Sequence, residues 1–195
     1  SNNHDEAIAA VESLKPGGCT EFWSGMQAGL DQAVKAVAPG RTTAVIILTD
    51  GEPSDERQLQ RYRDYLQQHP AASDVIVSTF GFGFDLDSTL LSAIAKIGGG
   101  CYTFIPDSTL VGSAFVNCFA NLAATVETRV WLQLETTGDL KISQINGQLP
   151  RYGSIAEDGE IVTEIEFGSM QSGQSRSVTT VVSGKTGTIV AKLRT

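Results

Sequence analysis

Ala44-Val45-Ile46-Ile47-Leu48-Thr49-Asp50-Gly51-Glu52-Pro53 is the stretch of this chain that decides the fold. Its first five residues are apolar without alternation, which is typical of a parallel strand covered on both faces. Asp50-Gly51 then breaks the strand. Because ligands bind at the carboxyl ends of strands in open parallel sheets, the sequence places Asp50 at a functional edge.

Strand and helix patterns alternate on both sides of this stretch. Predicted strands cover residues 44–48, 75–80 and 101–105, and predicted helices cover 8–14, 22–37, 55–69, 87–97 and 111–126. Alternation of this kind predicts an α/β fold, a Rossmann-like parallel sheet with helices on both faces.

The rhythm changes to period two from about residue 128, where Val130, Leu132 and Leu134 alternate with polar or amphipathic neighbours. Further strand-like runs follow at 140–145, 160–167, 177–182 and 188–193, separated by glycine-containing turns. They predict a small antiparallel sheet or sandwich. We therefore divide the chain into an α/β domain at 1–126 and a β-rich, sandwich-like domain at 127–195.

Composition narrows the classes of function. The 195 residues carry 14 Lys and Arg against 22 Asp and Glu, a net charge of −8, which disfavours nucleic acid as a partner. The longest apolar run is far short of the roughly 20 residues that span a bilayer, so no membrane span is expected. Three cysteines without a Cys-x-x-Cys pair and two distant histidines disfavour a disulfide framework and a zinc site, and we expect a cytoplasmic protein.

Two oxygen-bearing side chains stand out as candidate metal ligands. Gly17-Gly18-Cys19-Thr20 opens a predicted helix, and Asp50 follows the first strand. A hydroxyl and a carboxylate are the hard donors that Mg²⁺, Mn²⁺ or Ca²⁺ prefer. The alternative is that Thr20 only caps the helix and that Asp50 only forms a turn.

Three motifs in order resemble the von Willebrand factor type A (vWA) domain across about residues 1–126. They are the Gly-Gly-x-Thr loop before a helix, the strand ending in Leu48-Thr49-Asp50-Gly51-Glu52-Pro53, and the strand that leads into Thr79–Asp85. The part after residue 126 resembles, by order and pattern, the small domain that follows some intracellular vWA domains.

The resemblance implies a metal-ion-dependent adhesion site, with Thr20 and Asp50 at the second and third of its three ligand positions. The family's first motif, Asp-x-Ser-x-Ser, has no counterpart before Thr20. The domain is therefore expected to be N-terminally incomplete, with a partial site. The resemblance implies Mg²⁺, Mn²⁺ or Ca²⁺ as the cofactor, or no bound ion if the missing motif leaves the site degenerate.

The missing motif would also lie on a central strand of the family's sheet, beside the strand at 44–48. Without that strand an apolar sheet edge is exposed. We expect the edge to be covered by the missing N-terminal segment as a separate chain, or by another copy of this chain.

The resemblance implies a protein-interaction or adhesion module. A cation held by Thr20 and Asp50 would bind an acidic side chain of a protein partner, and Glu52, Phe82 and Asp85 would form the rim that contacts that partner. Two alternatives stay open: a metal-free structural scaffold with a degenerate site, and a metal-assisted hydrolase. Because histidine is scarce and a hydrolytic centre needs a general base, we expect no enzymatic activity.

Overall fold

The structure is a computed structural model and describes residues 2–15, 21–53, 55–146, 151–155 and 161–195. Within these ranges the helices are α1 (Asn2–Glu12), α2 (Phe22–Ala36), α3 (Gln58–Gln68), α4 (Ser88–Ile97) and α5 (Val111–Ala124). The strands of the first half are β1 (Thr43–Thr49), β2 (Val75–Phe82) and β3 (Gly99–Ile105). Those of the second half are β4 (Thr125–Thr136), β5 (Lys141–Asn146), β6 (Arg151–Ile155), β7 (Ile161–Gln171), β8 (Thr179–Ser183) and β9 (Ile189–Arg194).

The first half is built on a parallel sheet with the strand order β1-β2-β3. Thr43 pairs with Val75 at one end of β1, and Thr49 pairs with Gly81 at the other. The apolar, β-branched residues of β1 and β2 fit a pleated sheet that is covered on both faces. All three strands therefore end at the same edge of the sheet.

One face of this sheet is covered by α2, α3 and α4. The side chains that form this core come from all three helices and from β2, and include Leu30, Tyr62, Val77 and Ile94, each fully buried. Such helices form because their apolar positions recur at helical spacing and so make one continuous stripe. Burial of that stripe against the sheet holds the layer together.

The opposite face is covered by α5. Phe80 points to this face because it lies an odd number of residues from Val77, and it packs with Ile105 and Cys118. Its ring stacks on Phe115 of α5 with 4.9 Å between centroids. Helices on both faces of a parallel sheet confirm the predicted fold class.

Two element boundaries differ from the sequence prediction for identifiable reasons. The predicted helix at 55–69 begins only at Gln58, because the Asp55 carboxylate accepts a hydrogen bond from the Arg57 backbone N–H (2.9 Å) and holds a turn there. The third strand begins at Gly99 rather than Cys101, because Gly99 already pairs with Val77 of β2.

The second half is antiparallel, as predicted. A four-stranded sheet has the order β6-β7-β4-β9, and β5 pairs with β8 in a separate two-stranded sheet. Leu134, Ile142 and Ile165 pack together between the two sheets and form a small core. The strand β6 was not predicted, because a glycine interrupts the sequence Arg151–Ile155 and leaves no alternating pattern.

The two halves are joined without a linker, since α5 ends at Ala124 and β4 begins at Thr125. The Ser169 hydroxyl of β7 donates a hydrogen bond to the Gly99 carbonyl of β3 at 2.8 Å, which fixes one half against the other. The division of the chain at residue 126 stays a prediction. No helix within the described ranges combines the length and apolarity that crossing a bilayer requires.

The environment of the Tyr65 side chain leads us to expect a loss of stability at high pH. Its hydroxyl donates to the Asp31 carboxylate at 2.6 Å, and burial together with this bond raises the pKa of Tyr65 to about 12. The folded protein therefore holds this proton more tightly than the unfolded chain, in which the pKa of a tyrosine is about 10. The stabilisation is complete below that pH and is lost as the pH rises through the folded value.

We expect the Tyr65→Phe variant to lose less unfolding free energy than the parent protein between these two pH values. Urea unfolding across this pH range measures the difference. Burial also raises the pKa of Tyr62, so a smaller decline remains in the variant. Identical slopes for parent and variant would contradict the assignment to Tyr65.

Candidate functional site

The carboxyl edge of the parallel sheet carries the candidate site. β1 ends at Thr49, β2 at Phe82 and β3 at Ile105, and Phe82 pairs directly with Ile105. The loops that follow these three strands therefore meet at one edge, as the sheet geometry requires.

Asp50 lies at this edge, immediately after β1, and its side chain is exposed. The turn that presents it is held by Thr49, whose hydroxyl accepts from the Gly51 N–H and donates to the Gly51 carbonyl, at 3.4 and 3.1 Å. Among the described residues, the Asp50 carboxylate has no hydrogen-bond or ion-pair partner.

Thr20, the second predicted ligand, lies outside the described residues, as does the rest of its loop. The structure does show where the following helix begins. α2 packs on β1, since a Cβ at Gly29 would lie 3.2 Å from the Val45 side chain. The fifteen residues of α2 and the seven residues of β1 each span about 22 Å. Because the two elements have the same length and touch near their middles, α2 starts level with the end of β1. Convergence of Thr20 with Asp50 stays a prediction.

The three predicted rim residues differ in exposure. Glu52 and Asp85 are exposed at the carboxyl edge, on the loops after β1 and β2. Phe82 is only half-buried at the end of β2, where it packs against the Phe80–Ile105 core. Its role in partner contact stays a prediction.

An aromatic pair at the same edge was not identified from the sequence. Phe84 is 81% exposed, and its ring meets Phe104 of β3 edge to face with 5.5 Å between centroids. Phe104 is itself 42% exposed. The available signal was a bulky aromatic in a polar turn, directly after Gly83, whose positive φ of 82° turns the chain.

Other carboxylates near this edge are engaged locally. The Asp87 carboxylate accepts a hydrogen bond from the Leu90 N–H at 2.8 Å and caps α4. Hydrogen bonds from the Thr109 hydroxyl and N–H lower the pKa of Asp107. Hydrogen bonds from the Arg57 backbone and side chain lower the pKa of Asp55. The carboxylates of Asp55, Asp87 and Asp107 thus already accept hydrogen bonds from neighbouring residues, whereas that of Asp50 accepts none from the described residues.

The described donors fit a divalent cation in part. No group of three or more His, Cys, Asp or Glu side chains within the described ranges could hold a metal ion. Mg²⁺, however, is often bound through one or two carboxylates and keeps several waters. Asp50 offers one such carboxylate, and a bound cation would need further oxygen ligands besides it.

Comparison with known proteins supports the α/β half most directly. Residues 1–104 match the family model described as von Willebrand factor type A domain. A curated relative, the uncharacterized protein YfbK of Escherichia coli (strain K12), is 26% identical over 137 residues, which are 69% of this chain and 24% of the relative. This chain therefore spans about a quarter of that protein.

Two solved structures are also similar. A von Willebrand factor type A protein from Catenulispora acidiphila has a TM-score of 0.56 at 20% identity, over 75% of this chain and 35% of that one. The ArnB paralog VWA2 from Sulfolobus acidocaldarius covers 93% of this chain and 47% of its own at 18% identity, but its TM-score of 0.45 is too low to support an argument. The first likeness shows a shared fold. Since the family model matches more than half of the chain, this protein belongs to the von Willebrand factor type A domain family.

Proposed function

We propose that this protein binds a protein partner at the carboxyl edge of its parallel sheet, through a divalent cation that Thr20 and Asp50 hold. Domains of this family are commonly protein-interaction modules. The observation that carries the proposal is the exposed Asp50 carboxylate, which has no partner among the described residues and lies at the edge where the loops of three strands meet.

The cation, when bound, would supply an open coordination position for an acidic side chain of the partner. Mg²⁺ and Mn²⁺ fit best, because both accept hard oxygen donors and exchange water. Asp50 would provide negative charge and Thr20 its hydroxyl oxygen.

The residues around Asp50 favour the binding of an acidic group of the partner only when the cation is present. Glu52 and Asp85 are exposed at the same edge of the sheet as Asp50, and without a cation the three carboxylates would repel an acidic group. Phe84 and Phe104 offer the apolar contact that interface centres favour. Partner binding is therefore expected to depend on divalent cations.

Calorimetric titration with Mg²⁺ and Mn²⁺ tests the proposal. We expect Asp50→Ala to weaken binding at least about tenfold, the scale of one lost charged ligand. Asp74→Ala is the matched control, because Asp74 is an exposed aspartate just before β2, at the opposite edge of the sheet. Equal affinities in all three proteins would contradict a site at Asp50. An absence of binding in the parent protein would favour the metal-free scaffold.

The proposed module has no catalytic role. Incubation of Mn²⁺-loaded protein with phosphoester and ester probes tests this part separately, and Asp50-dependent turnover would favour the metal-assisted hydrolase instead.

Cys101 and Cys118 are free thiols, which supports a reducing, cytoplasmic compartment.

We also propose that the open side of β1 pairs with a strand from a separate N-terminal segment or from another copy. Within the described ranges β1 pairs with β2 alone, and Leu48 is 56% exposed. An unpaired, apolar edge is a template for strand addition. A copurifying N-terminal peptide in intact mass spectra, or a dimer in solution, would support this. A stable, monodisperse monomer would count against it.

A further inference from the structure

A cleft lies at the amino end of the parallel sheet, opposite Asp50. Its volume is about 630 Å³, within the range of small-molecule sites. Val75 and Gly99, the first residues of β2 and β3, form one wall, and Phe167 of β7 forms another. A smaller cavity of about 290 Å³ adjoins it and shares Lys96 and Phe167.

The cleft concentrates positive charge in a chain that is strongly acidic overall. Four of the 14 basic residues line it, against a single carboxylate, that of Glu166. Arg129 pairs with this carboxylate at 3.6 Å. Within the described part of the chain, Arg63, Lys96 and Arg176 have no ion-pair partner. Three uncompensated cations facing one cavity attract an anion, and more strongly a dianion.

A buried hydroxyl on the wall of the cleft is also unpartnered. The Tyr62 side chain is fully buried, and among the described residues its hydroxyl has no hydrogen-bond partner. The hydroxyl lies close to Gly98, since a Cβ built on that glycine would lie 2.9 Å from it, and both residues line the cleft. A buried donor without an acceptor is unfavourable, and a ligand oxygen at this point would satisfy it.

We propose that this cleft binds a small organic phosphate, independently of metal ions. The phosphate group would contact Arg176 and Lys96 and accept a hydrogen bond from the Tyr62 hydroxyl. Arginine forks match phosphate oxygens, and a dianion uses more of the local charge than a carboxylate does. The apolar side chains of Leu66 and Phe167 would contact the organic part of the ligand.

Calorimetric titration with phenyl phosphate in EDTA tests the proposal, with benzoate as the carboxylate analogue and inorganic phosphate as the ring-free analogue. We expect phenyl phosphate to bind more tightly than either. Lys96→Gln and Arg176→Gln should each weaken it about tenfold, the scale of one charged hydrogen bond. Both residues are exposed, so neither change disturbs the core. Lys35→Gln, an exposed lysine at the end of α2 outside the cleft, is the matched control and should bind as the parent does.

Tyr62→Phe separates binding from folding. The change removes a hydroxyl that has no hydrogen-bond partner among the described residues, so we expect no loss of unfolding free energy but about a tenfold loss of affinity for phenyl phosphate. The Asp50→Ala variant should bind phenyl phosphate normally, because Asp50 lies at the other end of the sheet. Failure of the cation site and failure of this cleft are thus distinguishable.

Three results would overturn the proposal. The first is the absence of phenyl phosphate binding up to about 10 mM, where even a millimolar site would fill. The second is equal affinity for benzoate and phenyl phosphate. The third is an equal loss of affinity in the Lys35→Gln control and in the two cleft variants, which would indicate nonspecific charge attraction.

Discussion

Replacement of Phe80 by alanine is expected to lower the free energy of unfolding by about 4 kcal/mol, within the range for large-to-small changes at buried phenylalanines. Phe80 is fully buried in the middle strand of the parallel sheet, and its ring stacks on Phe115. Truncation would leave a cavity between the sheet and α5 and remove the ring contact. Urea unfolding followed by circular dichroism measures the change.

Phe84→Ala is the matched control, because it makes the same substitution four residues later on the chain. Phe84 is 81% exposed, so its loss should change stability by no more than about 0.5 kcal/mol. If the rim contacts a partner as proposed, the same variant should weaken partner binding without unfolding the protein. Equal destabilisation by the two changes would contradict the assignment of Phe80 to the core and Phe84 to the surface.

Most of the α/β half could be predicted because its signals are local. The unbroken apolar run at 44–48 and the aspartate after it follow from the physics of buried parallel strands and strand-end turns. The Asp87 cap follows from the position of a short carboxylate before an apolar helix. These features need only neighbouring residues, which the sequence shows directly.

The cleft could not be predicted, because its residues are brought together only by the fold. Consecutive basic residues of the cleft lie about 30 or more residues apart along the chain: Arg63 is on α3, Lys96 on α4, Arg129 on β4 and Arg176 in the loop between β7 and β8. No spacing rule connects them. The Phe84–Phe104 pair has the same origin, since its two rings meet only because β2 and β3 are adjacent.

For Gly98-Gly99-Gly100 the sequence predicts one structural role, and the structure shows a second. The sequence predicts that these glycines end α4, and α4 does end at Ile97 with Gly98 as its cap. In the structure the last two also begin β3. The pairing shifts there: three residues of β2, from Val77 to Thr79, are matched by four of β3, from Gly99 to Tyr102. An extra residue in one strand is a bulge, where glycine is favoured.

Gly100→Ala is therefore expected to lower the free energy of unfolding by about 2–3 kcal/mol, the scale of overpacking at a site without space. A Cβ at Gly100 would lie 2.3 Å from the Val77 carbonyl oxygen, and this oxygen belongs to the backbone of the middle strand. Neither group can move without opening the ladder between β2 and β3. Urea unfolding measures the effect.

Gly112→Ala in α5 is the matched control, since apart from its chain neighbours and the backbone of its own helix no heavy atom of the described residues lies within 4 Å of its Cβ position. There the change should raise stability by about 0.5–1 kcal/mol, because alanine favours a helix over glycine. Gly100 also lines the smaller cavity beside the cleft, whereas Asp50 lies at the far edge. Gly100→Ala should thus weaken the binding of phenyl phosphate more than the binding of a cation. An unchanged unfolding midpoint in the Gly100→Ala variant would show that β2 and β3 do not approach as closely as the bulge requires.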